Sequence, residues 1–320
     1  MSIRSRSDRS ATIIRLFVAS AISLVVLTAC AGAQSTSSDT SVATVVSALG
    51  PDYSTPPPIT KDDVIVHSGN TKLDVSGWEP AKGEHADLQL AFLIDNAVNP
   101  SAIGPQLNDL KSFIEQQPSG TEVGVFYAQY GTYTTAAQFS TDHDAAAKKV
   151  HLTFGRRAGA SPSIYLSISS LAKKWPGKPE APRREMLVIT SGMDLLQPGV
   201  YDPYFESAVS DVQRSGVHVD SIYVGPLRLG LSFFGMIAQG NLGQITSDSG
   251  GDAFFQGLST PVAFKPFLDQ LNTILRNQYL ATFEVPASSK KKGELRPISI
   301  RTEQSHVKLL YPRHVLVPAK

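Results

Sequence analysis

Few side chains in this sequence are of a type and spacing that could do chemistry. There is one cysteine, Cys30, so neither an internal disulfide framework nor a cysteine-cluster metal site can form. The seven histidines, His67, His85, His143, His151, His218, His306 and His314, are scattered, and none forms the two-histidine helical motif of zinc proteases. Ser191 is followed by Gly192 but preceded by Ile189-Thr190, so the glycine-flanked serine of the hydrolase elbow is absent. No phosphate loop or dinucleotide fingerprint occurs. The remaining candidates are acids that follow apolar runs: Asp95 ends Leu88–Ile94, and Asp194 comes shortly after Met186–Thr190. A carboxylate in such a place can hold a hard cation through oxygen, or cap the loop and helix that follow.

The elements that must position these residues are legible as periodicity. Leu88–Ile94 and Met186–Thr190 are nearly continuous apolar runs, as expected of strands buried on both faces. Leu107, Leu110, Phe113 and Ile114 recur at helical spacing, and Val262–Asn277 predicts a helix with Phe264, Phe267, Leu268, Leu271 and Leu275 on one face. Further strands are expected at Val123–Ala128, Tyr133–Phe139, Val217–Val224 and Tyr279–Val285. Further helices are expected at Asp142–Val150, after a cap at Ser161 or Ser163, at Tyr204–Arg214 ending in Gly216, and within Leu229–Ile245. The alternation predicts an α/β domain over residues 86–285, doubly wound, with a mostly parallel central sheet and helices on both faces. Short β extensions flank it at 61–85 and 286–320. Phe233-Phe234 and Phe254-Phe255 read as core pairs, with a partner patch as the other option.

Composition narrows the classes. The chain has 320 residues, 42% of them hydrophobic, enough for a packed core. Its 29 basic and 28 acidic side chains exclude the strongly basic balance of a general nucleic-acid binder. Arg4, Arg6, Arg9 and Arg15 precede the apolar run Leu16–Leu27, which is short for a permanent span and ends in Leu27-Thr28-Ala29-Cys30. That tetrapeptide resembles the bacterial lipobox, which implies cleavage before Cys30 and acylation of its thiol. Loss of residues 1–29 takes four Arg and Asp8 away, leaving 25 basic and 27 acidic groups. Residues 30–60, rich in Ser, Thr, Ala and Pro, then read as a tether.

Four passages, in order, carry a family resemblance. Leu90-Ala91-Phe92-Leu93-Ile94-Asp95-Asn96 resembles the first strand of a von Willebrand factor type A domain, and Met186–Asp194 its fourth strand and loop. Gln244-Ile245-Thr246 with Ser249-Gly250-Gly251-Asp252-Ala253-Phe254-Phe255 resembles the "threonine, glycine, glycine, x, x, phenylalanine" passage. Leu275-Arg276-Asn277-Gln278-Tyr279 resembles the closing phrase of bacterial secreted members, most of all the Acidobacteria-type von Willebrand A-related proteins. The resemblance implies a cation site between the first and fourth strands, built from "aspartate-x-serine-x-serine", a later threonine and an aspartate after the fourth strand. Residue by residue, the first aspartate is Asp95, the first serine is Ala97, the second is Asn99, the threonine falls near Ser161–Ser163, and the last aspartate is Ser191. Asp194 matches a commonly acidic position that is not metal-linked. One carboxylate and one hydroxyl are therefore missing, so the expected site is degenerate: at most weak Mg²⁺ or Mn²⁺ binding, or completion by a partner, with Asp95 otherwise capping its loop.

The resulting expectation is a lipid-anchored envelope protein, on the periplasmic side of either membrane or on the cell surface. It presents a binding domain to an unidentified protein partner, as adhesin or assembly scaffold, and is not an enzyme. An envelope enzyme or a solute receptor on a similar sheet is the rival. A receptor needs a second lobe around its ligand, and an enzyme needs a nucleophile with a base.

Overall fold

The computed structural model describes residues 39–155, 163–178, 181–194, 196, 202–225 and 232–319. The lipobox with Cys30 and the loop residue Ser161 lie outside them. In chain order the strands are β1 (Asp39–Leu49), β2 (Val64–Ser68), β3 (Thr71–Leu73), β4 (Val75–Pro80), β5 (Leu88–Asp95), β6 (Thr121–Gln129), β7 (Thr132–Ser140), β8 (Arg183–Thr190), β9 (His218–Tyr223), β10 (Ala253–Phe254), β11 (Gln278–Pro286), β12 (Glu294–Pro297), β13 (Ser299–Thr302), β14 (Lys308–Leu310) and β15 (His314–Val317). The helices are α1 (Pro100–Ile103), α2 (Leu107–Glu115), α3 (His143–Lys148), α4 (Ile164–Lys173), α5 (Pro203–Ser215), α6 (Ser232–Ser249) and α7 (Lys265–Arg276).

The central sheet has the order β10-β9-β8-β5-β6-β7, parallel except for β7 at its edge. All eight residues of β5 are buried. The alternate residues Leu90, Phe92 and Ile94 pack under α2 and α7, and Ala91 and Leu93 pack under α4 and α5. A strand with an apolar layer on each face has no polar side to show, which is why its sequence is a continuous run. Local chemistry sets the helix ends. Asp202 caps α5 by accepting from the N–H groups of Tyr204 and Phe205, Pro203 occupies its first turn, and Gly216 ends it at φ 64°.

The ends of the chain differ from the sequence expectation. Residues 39–49 are not tether but the long strand β1, and the tether reading is corrected from there on. β11 does not close the central sheet. It pairs antiparallel with β1 and β4 in a second, four-stranded sheet of order β14-β1-β11-β4. This sheet, with the β13-β2-β3 sheet and the β12-β15 ribbon, encloses its own core of Val46, Val66, Trp78, Phe283, Ile300 and Val317. The two β extensions are thus one small sandwich. The α/β domain ends with α7, because β11 turns its apolar residues Ala281, Phe283 and Val285 toward the sandwich core.

The sandwich sits against the amino-terminal end of the parallel strands. Arg183, the first residue of β8, donates from Nε to the Gln278 side chain (2.7 Å), and through its two Nη groups to the carbonyls of Ala86 and Leu275. Gln278 donates in turn to Glu185 (2.7 Å). Across the junction Arg313 N–H reaches the Asp248 carbonyl, and the Tyr53 hydroxyl reaches Asp252 just before β10. Among the described residues no helix is long and apolar enough to cross a membrane.

Candidate functional site

The opposite, carboxyl-terminal end of the sheet carries Asp95, between β8 and β6. Asp95 is 2% exposed, and both its oxygens are engaged. Oδ1 accepts the Ala97 N–H at 2.8 Å, and Oδ2 accepts the Thr190 hydroxyl at 2.7 Å. Burial pushes its pKa up to about 6, against the pull of these two hydrogen bonds. The Thr190 hydroxyl oxygen accepts Gly192 N–H (2.9 Å), and the buried Tyr165 hydroxyl donates to the Gly192 carbonyl (2.9 Å). Gly192 sits at φ 64°, and a Cβ there would come within 3.0 Å of the Leu242 side chain, so the turn requires glycine.

The other candidates are similarly occupied. Asn99 caps α1, its Oδ1 accepting Ser101 N–H at 2.8 Å. Ser163 caps α4 through Leu166 N–H. Asp194 accepts Leu196 N–H at 2.7 Å and shares a hydrogen bond with Asp202. The Asp202 pKa is raised, first by burial and then by the charge of Asp194. Ser191 follows Thr190 and offers a hydroxyl, with no formal charge. The structure therefore brings Asp95 next to the β8 end as the resemblance implied, but its bonding partner is Thr190. Sequence reasoning missed Thr190 and Tyr165. Thr190 was readable only as the last residue of an apolar run, and Tyr165 as one aromatic on a helix.

These residues do not fit a divalent cation. Asp95 is the one carboxylate at the positions of the pattern, its oxygens and that of Asn99 already accept protein donors, and Ala97 has no oxygen to give. Among the described residues no group of three or more His, Cys, Asp or Glu is placed to hold a metal ion.

What this end offers is apolar surface. All nine exposed large hydrophobic side chains of the described residues lie on its connections or on the helix start they lead into. Tyr130 is at the β6–β7 turn, Leu152 and Phe154 precede α4, and Leu196 follows β8. Phe233, Phe234 and Met236 open α6, and Phe255 and Val262 follow β10. The expectation that both phenylalanine pairs are core holds for Phe254 alone, which is 3% exposed. Phe233 is 57% exposed, while Gly235 and Ala238 on the same helix face inward, toward Tyr223. The only acids in these connections are Asp194 and Asp202, both buried, whereas Lys149, Arg156, Arg157 and Arg228 are basic.

No family model and no curated protein matches the sequence. Among solved structures, the chain is similar to BatB, a conserved hypothetical protein from Bacteroides thetaiotaomicron, at 13% identity over 58% of this chain and 98% of that one, TM-score 0.41. It is similar to the VWA domain of SpRpn10 at 14% identity over 58% and 94%, TM-score 0.37. It is also similar to the human COPII-coat protein Sec24c at 10% identity over 81% and 46%, TM-score 0.43.

Proposed function

We propose that this chain is a lipid-anchored envelope protein whose von Willebrand A-like domain binds another protein through the carboxyl-terminal end of its central sheet, without a metal ion. The observation that carries this reading is the gathering of every exposed large hydrophobic of the described residues on that end, around an Asp95 already satisfied from within. Aromatic and Met side chains with few charges make up the core of protein interfaces, while single exposed apolar residues elsewhere mean little. The sandwich supports the same orientation. β1, the first described element, belongs to the sandwich at the other end of the sheet. The same apolar surface is what supports an adhesin or assembly scaffold as the reading.

The test is affinity capture from the protein's own envelope, comparing the natural chain with Phe233→Ser/Phe234→Ser, each with and without EDTA. The expected result is a partner retained in EDTA and lost with the double substitution. A partner lost in EDTA would overturn the metal-free reading, and one retained by the variant would move the binding face elsewhere. Mass spectrometry of the membrane fraction tests the anchor. A mature chain starting at diacylated Cys30 is expected, and an intact Met1 start would refute it.

A further inference from the structure

At the junction between sandwich and sheet lies a second, chemically different recess. It is a cleft of about 200 Å³ between β1, the start of β8, the α5–β9 turn and β15. Four basic side chains line it, Arg184, Arg214, His218 and His314, and no Asp or Glu does. Neither guanidinium has a carboxylate within ion-pair distance among the described residues. Arg184 is partly buried and donates to the Ser215 carbonyl, a neutral acceptor. Burial without a countercharge lowers its pKa. His218 is 3% exposed, and its Nδ1 has no hydrogen-bond partner. The nearest carboxylate oxygen, Glu185 Oε1, is 3.7 Å away and accepts a hydrogen bond from Gln278. Nδ1 of His314 meets the Gln213 side-chain amide at 3.2 Å. An amide N–H can only donate, so Nδ1 accepts and Nε2 keeps a proton to offer.

Bringing two guanidiniums around one small space, with no carboxylate paired to either, is unfavourable for the empty cleft. An anion inside it reverses the sign. The volume suits a tetrahedral oxyanion with a few waters and falls below the roughly 300 Å³ where organic-ligand sites begin. We propose that this junction cleft is a phosphate-class oxyanion site, held by Arg184 and Arg214 with His314 as a further donor. The phosphate is either the free ion or a lipid headgroup. β1 lines the cleft from Val42 to Val45, only twelve residues after Cys30 at the nearest, so a headgroup is within the chain's reach if Cys30 is acylated.

The experiment uses the full chain in non-ionic detergent, titrated with inorganic phosphate in a calorimeter. A parallel arm uses mixed micelles carrying phosphatidic acid or, as control, phosphatidylcholine. Saturable phosphate binding weakened about tenfold or more in Arg214→Gln, as expected for the loss of one charge-assisted contact, supports the site with free phosphate as ligand. Retention of phosphatidic acid over phosphatidylcholine, lost in the same variant, supports it with lipid as ligand. Arg214 is exposed, so its replacement leaves the fold intact. His314→Asn provides a second variant, expected to weaken binding about threefold. Absence of both responses, or binding indifferent to both substitutions, overturns the proposal. Partner capture by the apolar end is unaffected by either result.

Discussion

The two ends of the central sheet solve opposite problems. At the amino-terminal end, four ionisable groups are enclosed: Arg183, Glu185, His218 and Asp220 are each under 5% exposed beneath the sandwich. At the carboxyl-terminal end, large apolar groups are left in water and the acids are buried. Ordinary folding would reverse both, since charges are costly to bury and apolar area gains by burial. The amino-terminal network is tolerable because Gln278 bridges Arg183 and Glu185, so that the sandwich completes what the sheet cannot. The difference separates two kinds of end: one is held together by enclosed polar contacts, and the other leaves large apolar side chains exposed.

The comparison is broken most directly by substitutions at each end, measured by urea unfolding. Arg183→Met leaves Gln278 Oε1 and the carbonyls of Ala86 and Leu275 without their donor and Glu185 without its cationic neighbour. A loss of about 3–5 kcal/mol is expected. A loss under about 1 kcal/mol would show that the junction is ornamental.

Next in size is the pH dependence of buried carboxyls. The folded-state pKa of Asp95, about 6, lies above its unfolded value, so its contribution is fully present below that unfolded value and is lost as pH rises through 6. On the order of 3 kcal/mol should disappear between pH 4 and pH 8, and Asp95→Asn should flatten that slope. Asp220, raised by burial and then by Glu185, has the same sign at the other end, so Asp220→Asn should stabilise the protein at neutral pH. A natural chain equally stable at both pH values would mean that water reaches both acids.

Calorimetry with Mg²⁺ and Mn²⁺ sharpens the account of the carboxyl end. No measurable affinity is expected at physiological concentration, and Ala97→Ser with Ser191→Asp should introduce some if the loops keep the required geometry. A sub-millimolar affinity in the natural chain, abolished by Asp95→Ala, would show that Asp95 exchanges its protein donors for metal. Smallest is the effect of Phe233→Ser/Phe234→Ser on folding, expected within about 0.5 kcal/mol because these side chains are in water already. A large destabilisation would place them in a core.

Much of the α/β domain was legible because its signals are local. The apolar runs at Leu88 and Met186 became adjacent parallel strands, and the stripe from Phe264 to Leu275 became α7. The Asp142 and Gly216 signals mark the true helix ends. The sandwich was not legible. β1 reads as a Ser/Thr/Ala segment, and the residues that make Val42, Val46 and Ala48 worth burying are at 281–285. For the site, sequence located Asp95 and its deficient neighbours. It could not show that Thr190 would supply the missing partner, because a hydroxyl ending an apolar strand serves equally as core and as ligand. The exposed phenylalanines at 233–234 were misjudged because an apolar stretch in sequence does not show which of its residues a helix turns to water, and Met236 beside them is exposed as well.

The pairing of β1 with β11 has a consequence for the life of the chain. Asp39 lies opposite Pro286, and their partnership spans most of the polypeptide. A chain made from its amino end exposes β1 as an unpaired edge until almost everything else has been synthesised. The α/β domain can acquire its layers meanwhile, but the sandwich waits for the final segment. Such non-local closure is slow, and a waiting apolar edge invites the wrong neighbour. Protection during that interval, by a holding factor or by rapid completion, is therefore a requirement written into the topology, and carboxyl-terminal truncation should yield aggregates rather than a smaller working protein.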